Sequence, residues 1–223
     1  MSNQKTILTF GIHRSGTSLT ANILSQIGVN MGSRLMKADA DNPEGYFENW
    51  DFVNLNNEIL RNAGGAWNYP PNEEAILKQK DRMSEQVKQI ILENGSELWG
   101  WKDNRTMLTF PVYEPHLQNR NLHIILTYRK REDVIASLKY PSFLEMFHEK
   151  HKNEDYLNWL ADEHYRRIEK YAVNKYPILK VQFEKFFTDD EEIKKILKFV
   201  FGKIDSELLA KAKAVVNSKI KHL

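Results

Sequence analysis

Near the start of the chain, Thr6-Ile-Leu-Thr-Phe10 forms a short, β-prone apolar run closed by Gly11. From Thr17 to Ile27 apolar positions recur at helical spacing until Gly28 ends them. This predicts strand, loop and helix in succession. Apolar runs at Leu98–Trp101, Leu122–Tyr128 and Ile178–Phe183 read as further strands. Helical periodicity marks Phe52–Arg61, Glu73–Glu93, the neighbourhood of Thr106–Leu117, Glu132–Lys139, Asp155–Val173, Asp190–Phe199 and Ser206–Asn217. Strands alternating with helices require crossover connections, so the expected architecture is α/β: three layers, with a mainly parallel sheet flanked by helices, formed by residues 1–223 as one domain. Between the first helix and the next, Val29–Asn49 carries turn-forming residues and little periodicity. A loop that long in a compact domain is expected to be functional, with contact to a substrate.

Composition narrows the function classes. Hydrophobic residues at 41% and charged residues at 28% are ordinary globular usage, sufficient for one sizeable core. A formal net charge of +2 gives little field with which to hold a nucleic-acid backbone, so no nucleic-acid partner is expected and any anion site has to be local. The absence of cysteine excludes disulfides, thiolate nucleophiles and cysteine-ligated zinc. Thr6–Phe10 is too short for a signal-peptide core, and no stretch approaches the ~18 apolar residues of a membrane span. No integral membrane segment and a cytoplasmic location are therefore expected. Nothing in the pattern fixes an oligomeric state.

Gly11-Ile-His-Arg-Ser-Gly-Thr-Ser18 has the glycine spacing of a phosphate loop and sits between a predicted strand and helix. Backbone N–H groups and the helix dipole converge on one anion in that setting. In nucleotide triphosphatases the second glycine is followed by a lysine that reaches the outer phosphates. Here Thr17 takes that position, while Arg14 supplies a cation from within the loop, which points to an anionic ligand held without metal. His13 reads as a loop or packing residue rather than a base and is grouped with the residues that hold the ligand. A second basic element, Arg129-Lys-Arg-Glu-Asp-Val-Ile-Ala-Ser137, follows the strand Leu122–Tyr128. Its arginine fork and serine hydroxyl are matched to a second phosphate.

Taken together, these two elements resemble the PAPS-dependent sulfotransferase family, in its bacterial, carbohydrate- or metabolite-directed branch. Arg14, Ser15, Gly16, Thr17 and Ser18 match the family's 5′-phosphosulfate loop, and Arg129 with Ser137 match the spacing of its 3′-phosphate grip. The likeness extends to Asn42-Pro-Glu-Gly-Tyr-Phe-Glu48, to Trp101-Lys-Asp-Asn-Arg105 and to the late strand followed by Glu184. The chain differs in carrying Arg14 where many members have lysine, and it lacks the C-terminal glycine-rich nucleotide motif of the animal cytosolic enzymes.

The resemblance implies a phosphate-loop α/β fold and transfer of a sulfuryl group from PAPS, as co-substrate and without metal, to a hydroxyl or amine of a carbohydrate or small metabolite. Adenosine 3′,5′-bisphosphate is the implied product. Arg14 would contact the bridging oxygen or leaving phosphate, Ser15–Ser18 would hold the 5′-phosphate, and Lys102 would approach the sulfuryl oxygens. Two carboxylates are candidate general bases: Glu48, in the segment most like the bacterial branch and the favoured one, and Glu44, which aligns with the base of heparan-type sulfotransferases. Arg105 positions a ligand or caps the sheet through Asp103. His148 and His151 lack an evident third metal ligand, and Trp67, Tyr69, Trp99 and Trp101 would stack a sugar or fill the core. The rival readings are a phosphate-loop small-molecule kinase or nucleotide hydrolase and a non-catalytic nucleotide-binding module.

Overall fold

The computed structural model of the protein describes residues 4–39, 42–118 and 120–216. The chain runs β1 (Lys5–Phe10), α1 (Thr17–Gln26), α2 (Trp50–Asn62), α3 (Glu73–Leu77), α4 (Gln79–Arg82), α5 (Ser84–Asn94), β2 (Leu98–Lys102), α6 (Thr106–Tyr113), β3 (Leu122–Tyr128), α7 (Arg131–Leu138), α8 (Pro141–Leu144), α9 (Glu154–Ala172), β4 (Ile178–Gln182), α10 (Glu191–Phe201) and α11 (Ser206–Ala214). Among the described residues the strands form one sheet in the order β2-β1-β3-β4, and every pairing is parallel. The sheet expected to be mainly parallel is thus wholly so.

The three layers follow from the period-2 alternation of the strands. Leu8 and Phe10 of β1 and Ile124 and Leu126 of β3 face one core with residues of α2, α5, α6 and α9. Ile7 and Ile125 face the other, which is filled by α1, α10 and α11. In β2 both tryptophans take the first side: Trp99 and Trp101 are fully buried, and Trp101 lies flat on Phe52 at 4.2 Å and 4°. Gly100 between them points to the opposite face, where the carbonyl of Ile7 occupies the place of a Cβ. No other residue fits there without moving the sheet.

The expected helix over Glu73–Glu93 turns at Lys78 and Met83 and so divides into three, whose Ile76, Met83, Val87 and Ile91 nonetheless share one core. Near Thr106–Leu117 the α-helix ends at Tyr113 and a 3-10 turn, Glu114–His116, completes it. This segment is apolar on every side and every residue of α6 is buried, packed chiefly on α9. The final helix stops at Ala214; its expected end at Asn217 lies outside the described residues, as do Ala40 and Asp41 of the long loop. No helix among the described residues is long and apolar enough to cross a membrane.

Parallel strands deliver all their C-terminal ends to one edge of the sheet. Successive connections from β1 go to opposite sides, to β2 and then past β1 to β3, which opens a crevice between β1 and β3. The Gly11–Ser18 loop leaves β1 and the Arg129 segment leaves β3, so both basic elements flank that crevice.

Candidate active site

The loop after β1 is shaped by backbone constraints. A Cβ on Gly11 would meet Ser15 Oγ, the Thr127 carbonyl and Thr17 Cγ2, so glycine lets the chain pass close to β3. Arg14 and Gly16 take left-handed backbone angles, φ 71° and 89°. For arginine that conformation is strained, as residues at ligand-binding turns often are. Gly16 also lies against the Phe183 ring, which would block any side chain. The helix that follows has neither a side-chain cap nor an acidic residue in its first turn. Its leading N–H groups and positive dipole end therefore face the crevice without an internal anion.

Side chains from distant elements tie the loop down. Asn104, with its amide oriented so that every neighbour is satisfied, donates to Thr17 Oγ1 and to the Gly11 carbonyl and accepts from the His13 N–H, each at 3.2 Å. The Thr17 hydroxyl oxygen therefore accepts a bond from within the protein, and its O–H remains available to donate. Ser18 Oγ receives the Asn42 amide at 3.1 Å and Lys102 Nζ at 3.4 Å and donates to the Tyr46 carbonyl at 3.4 Å, fastening the 42–48 segment to the loop.

The two basic elements meet. Arg14 Nε donates to Ser137 Oγ at 2.7 Å, and Arg129 NH1 donates to the Arg14 carbonyl at 3.1 Å. Each guanidinium also rides over a phenyl ring, Arg14 over Phe143 at 5.0 Å and Arg129 over Phe183 at 4.9 Å. Burial lowers the pKa of Arg129, with Asp133 and Glu184 partly offsetting it. The Gly11–Ser18 loop and the Arg129–Ser137 segment are thus in direct contact.

Opposite them stands a buried charge cluster. Glu48 Oε1 accepts from Lys102 Nζ at 2.6 Å and Glu48 Oε2 from Arg105 NH1 at 3.2 Å; NH1 also bonds Asp103 Oδ1 at 2.8 Å. Burial pushes the Glu48 carboxyl up, but the Lys102 and Arg105 cations outweigh it and hold the pKa below the ordinary carboxylate value. Burial raises Asp103, which Asn56 anchors from α2 at 2.8 Å. Lys102 pairs with Glu48, and Arg105 reaches Asp103 and Glu48 at once, which is the capping arrangement weighed for it.

The Gly11–Ser18 loop, Arg129, Glu48 and Lys102 line one open-mouthed cavity. His13, Arg14, Gly16, Thr17, Ser18, Glu48, Lys102 and Arg129 of the expected residues line it; Ser15 is fully buried behind the loop, and Ser137 reaches the cavity through Arg14. Glu44 is exposed and outside the lining. Asn42, Tyr46, Asn104, Phe143 and Phe183 complete the wall. Sequence reasoning gave them no task, although Asn42, Tyr46 and Asn104 stand inside segments it had singled out. Of the aromatic group, Trp99 and Trp101 are core, Trp67 is nearly buried against His13, and Tyr69 is exposed and stacked on His151.

No family model matches the chain, and no curated protein matches it. Among solved structures it is similar to the sulfotransferase STF1 from Mycobacterium tuberculosis H37Rv, with 14% identity and a TM-score of 0.47 over 98% of this chain and 73% of that one. It is also similar to retinol dehydratase, solved in complex with androsterone and the inactive cofactor PAP, with 15% identity and a TM-score of 0.50. That match covers 97% of this chain and 65% of the other, so the chain spans just under two thirds of retinol dehydratase. At this identity the likeness establishes architecture: the chain has the α/β fold of retinol dehydratase.

Proposed function

We propose that the protein transfers a sulfuryl group from PAPS to a hydroxyl of a carbohydrate or small-metabolite acceptor. The observation that carries this reading is the convergence of the two phosphate-matched elements on one cavity, Arg14 Nε on Ser137 Oγ and Arg129 NH1 on the Arg14 carbonyl. A nucleotide with phosphates at two separate positions is the ligand class such a paired site fits. The PAP bound in retinol dehydratase supports the same choice.

In this reading the loop N–H groups and the start of α1 hold the 5′-phosphate, while Arg129 and Ser137 hold the 3′-phosphate. Arg14 turns to the bridging oxygen as the sulfur–oxygen bond to the 5′-phosphate breaks. The electron pair passes to that phosphate, which has a second pKa of about 6 and leaves without needing a proton. Lys102 faces the transferring group, and cations fixed by the fold stabilise its equatorial oxygens without reorganisation. Glu48 is the cavity's carboxylate. With both oxygens engaged by cations and its pKa depressed, it is a weak base, and we assign it the positioning of Lys102.

The test is a thermal melt in EDTA with adenosine 3′,5′-bisphosphate. Ligand at about 100 times its dissociation constant stabilises by about 2.7 kcal/mol. Stabilisation by ATP with magnesium, and none by the bisphosphate, would turn the assignment toward phosphoryl transfer.

A further inference from the structure

His13 lines the cavity but has no task in the mechanism above. Its backbone N–H is fixed by Asn104. Its ring lies 4.1 Å from Trp67, tilted at 46°, and 6.4 Å from Phe143. Nε2 is shut from water and has no hydrogen-bond partner among the described residues. A buried ring nitrogen left in that state is costly unless a ligand group meets it. Phe143 also stands over the Arg14 guanidinium at 5.0 Å, so His13 and Arg14 share a neighbour at the cavity wall.

The charges around the ring come from several elements. Arg14 lies next to it in the loop, Lys102 ends β2 and Arg105 follows it, while His164 on α9 is a buried neighbour kept neutral by its own low pKa. Glu48 is the nearby anion, but Lys102 and Arg105 occupy both its oxygens. Burial first, then these cations, holds the imidazole neutral, with a pKa well below its ordinary value. A base so depressed takes a proton poorly. An anionic nucleotide beside Arg14 adds the opposite field, and the same ring becomes more basic.

We propose that His13 Nε2 takes the acceptor's proton, and that bound donor charge makes it basic enough to do so. The inference rests on the sulfuryl-transfer reading of this cavity. In the tautomer with its proton on Nδ1, Nε2 receives the hydroxyl proton as the acceptor oxygen bonds to sulfur. The sulfur–oxygen bond to the 5′-phosphate breaks in the same step, its electron pair going to the phosphate. The imidazolium returns the proton to water after the products leave. Without donor, the group that would activate the acceptor stays dormant.

The experiment follows the imidazole ¹⁵N shifts of histidine-labelled protein against pH, with and without adenosine 3′,5′-bisphosphate, binding being checked separately by calorimetry. His13 is assigned by the signal missing from His13→Gln. In free protein its titration lies well below that of an ordinary imidazole, and with the bisphosphate its proton affinity rises about tenfold or more. Binding with an unmoved or lowered His13 pKa overturns the inference alone, whereas no binding removes the sulfuryl-transfer reading and the inference with it. PAPS hydrolysis, with water as acceptor, gives a second readout. His13→Gln slows it about a hundredfold at unchanged bisphosphate affinity and removes its fall toward low pH; a variant that keeps that fall overturns the base assignment.

Discussion

Lys102 Nζ stands 2.6 Å from Glu48 Oε1, with both side chains almost wholly withdrawn from water. Ser18 Oγ is the other partner of Lys102 Nζ, at 3.4 Å, but among the described residues only Glu48 offers the buried lysine an opposite charge, so the pair sets the position of one cation lining the cavity. Removing the carboxylate alone strands that charge. Glu48→Gln is therefore expected to destabilise the protein by about 3–5 kcal/mol in urea unfolding, whereas Glu48→Gln with Lys102→Met recovers much of the loss and stays inactive. Strictly additive losses would show that the two charges are not coupled.

Arg129 and Ser137 differ in what they touch, and their substitutions should differ accordingly. Arg129→Ala removes both a phosphate fork and the donor to the Arg14 carbonyl, while Ser137→Ala frees the Arg14 Nε. Calorimetry with adenosine 3′,5′-bisphosphate and with adenosine 5′-monophosphate separates these effects. Arg129→Ala should lose about 2–3 kcal/mol for the bisphosphate and much less for the monophosphate, with Ser137→Ala intermediate. Equal loss for both ligands would assign the two residues to the loop's shape.

Gly16 and Gly28 both have left-handed backbone angles, but only Gly16 faces an obstacle, the Phe183 ring. Gly28→Ala should cost about 1 kcal/mol from backbone strain alone. Gly16→Ala should cost about 1–3 kcal/mol more and weaken bisphosphate binding, because the displaced ring belongs to the cavity wall. Comparable losses for the two variants would mean that Phe183 yields freely.

His164 on α9 is fully buried, and burial, against the pull of its Leu160 carbonyl bond, lowers its pKa to about 4. The unfolded chain takes a proton near pH 6.5, the folded one only near 4, so stability is intact above 6.5 and is lost as pH falls between these values. The slope is about 1.4 kcal/mol per pH unit, on the order of 3 kcal/mol in all. His13, also depressed, adds to the loss in the same direction. Denaturant midpoints measured from pH 7.5 to 4 should show the decline, and His164→Asn should flatten it in part; a variant with the wild-type slope would place the acid sensitivity elsewhere.

The strand, loop and helix at the start of the chain were legible because local rules fix them: a β-prone run, glycines at set spacing, helical periodicity up to Gly28. The Arg129 segment was legible for the same reason. The kinks at Lys78 and Met83 were not, since no proline or glycine marks either position. Nor was the character of His13. Read along the chain it is one loop residue among eight, and only folding brings it Trp67, Lys102 and His164. Glu48 shows the converse: its segment pointed to the site, but its chemistry depends on Lys102 and Arg105, more than fifty residues away, whose charge changes a free carboxylate into an anchor.

The long loop is moored at both ends to the β2 side of the sheet. Asn30 bridges to β2, its N–H reaching the Leu98 carbonyl at 3.1 Å and its carbonyl receiving the Gly100 N–H at 3.0 Å, and Asn49 bonds Asn94 at 2.7 Å. The groups proposed to hold the nucleotide come instead from the ends of β1 and β3. Between those moorings the loop is also part of the nucleotide grip, since Asn42 and the Tyr46 carbonyl bond Ser18 and both residues line the cavity: a graft spliced between residues 31 and 47 keeps the moorings but removes these contacts. A chimera meant to keep the grip should therefore be cut so that Asn42–Glu48 stays with the strand ends.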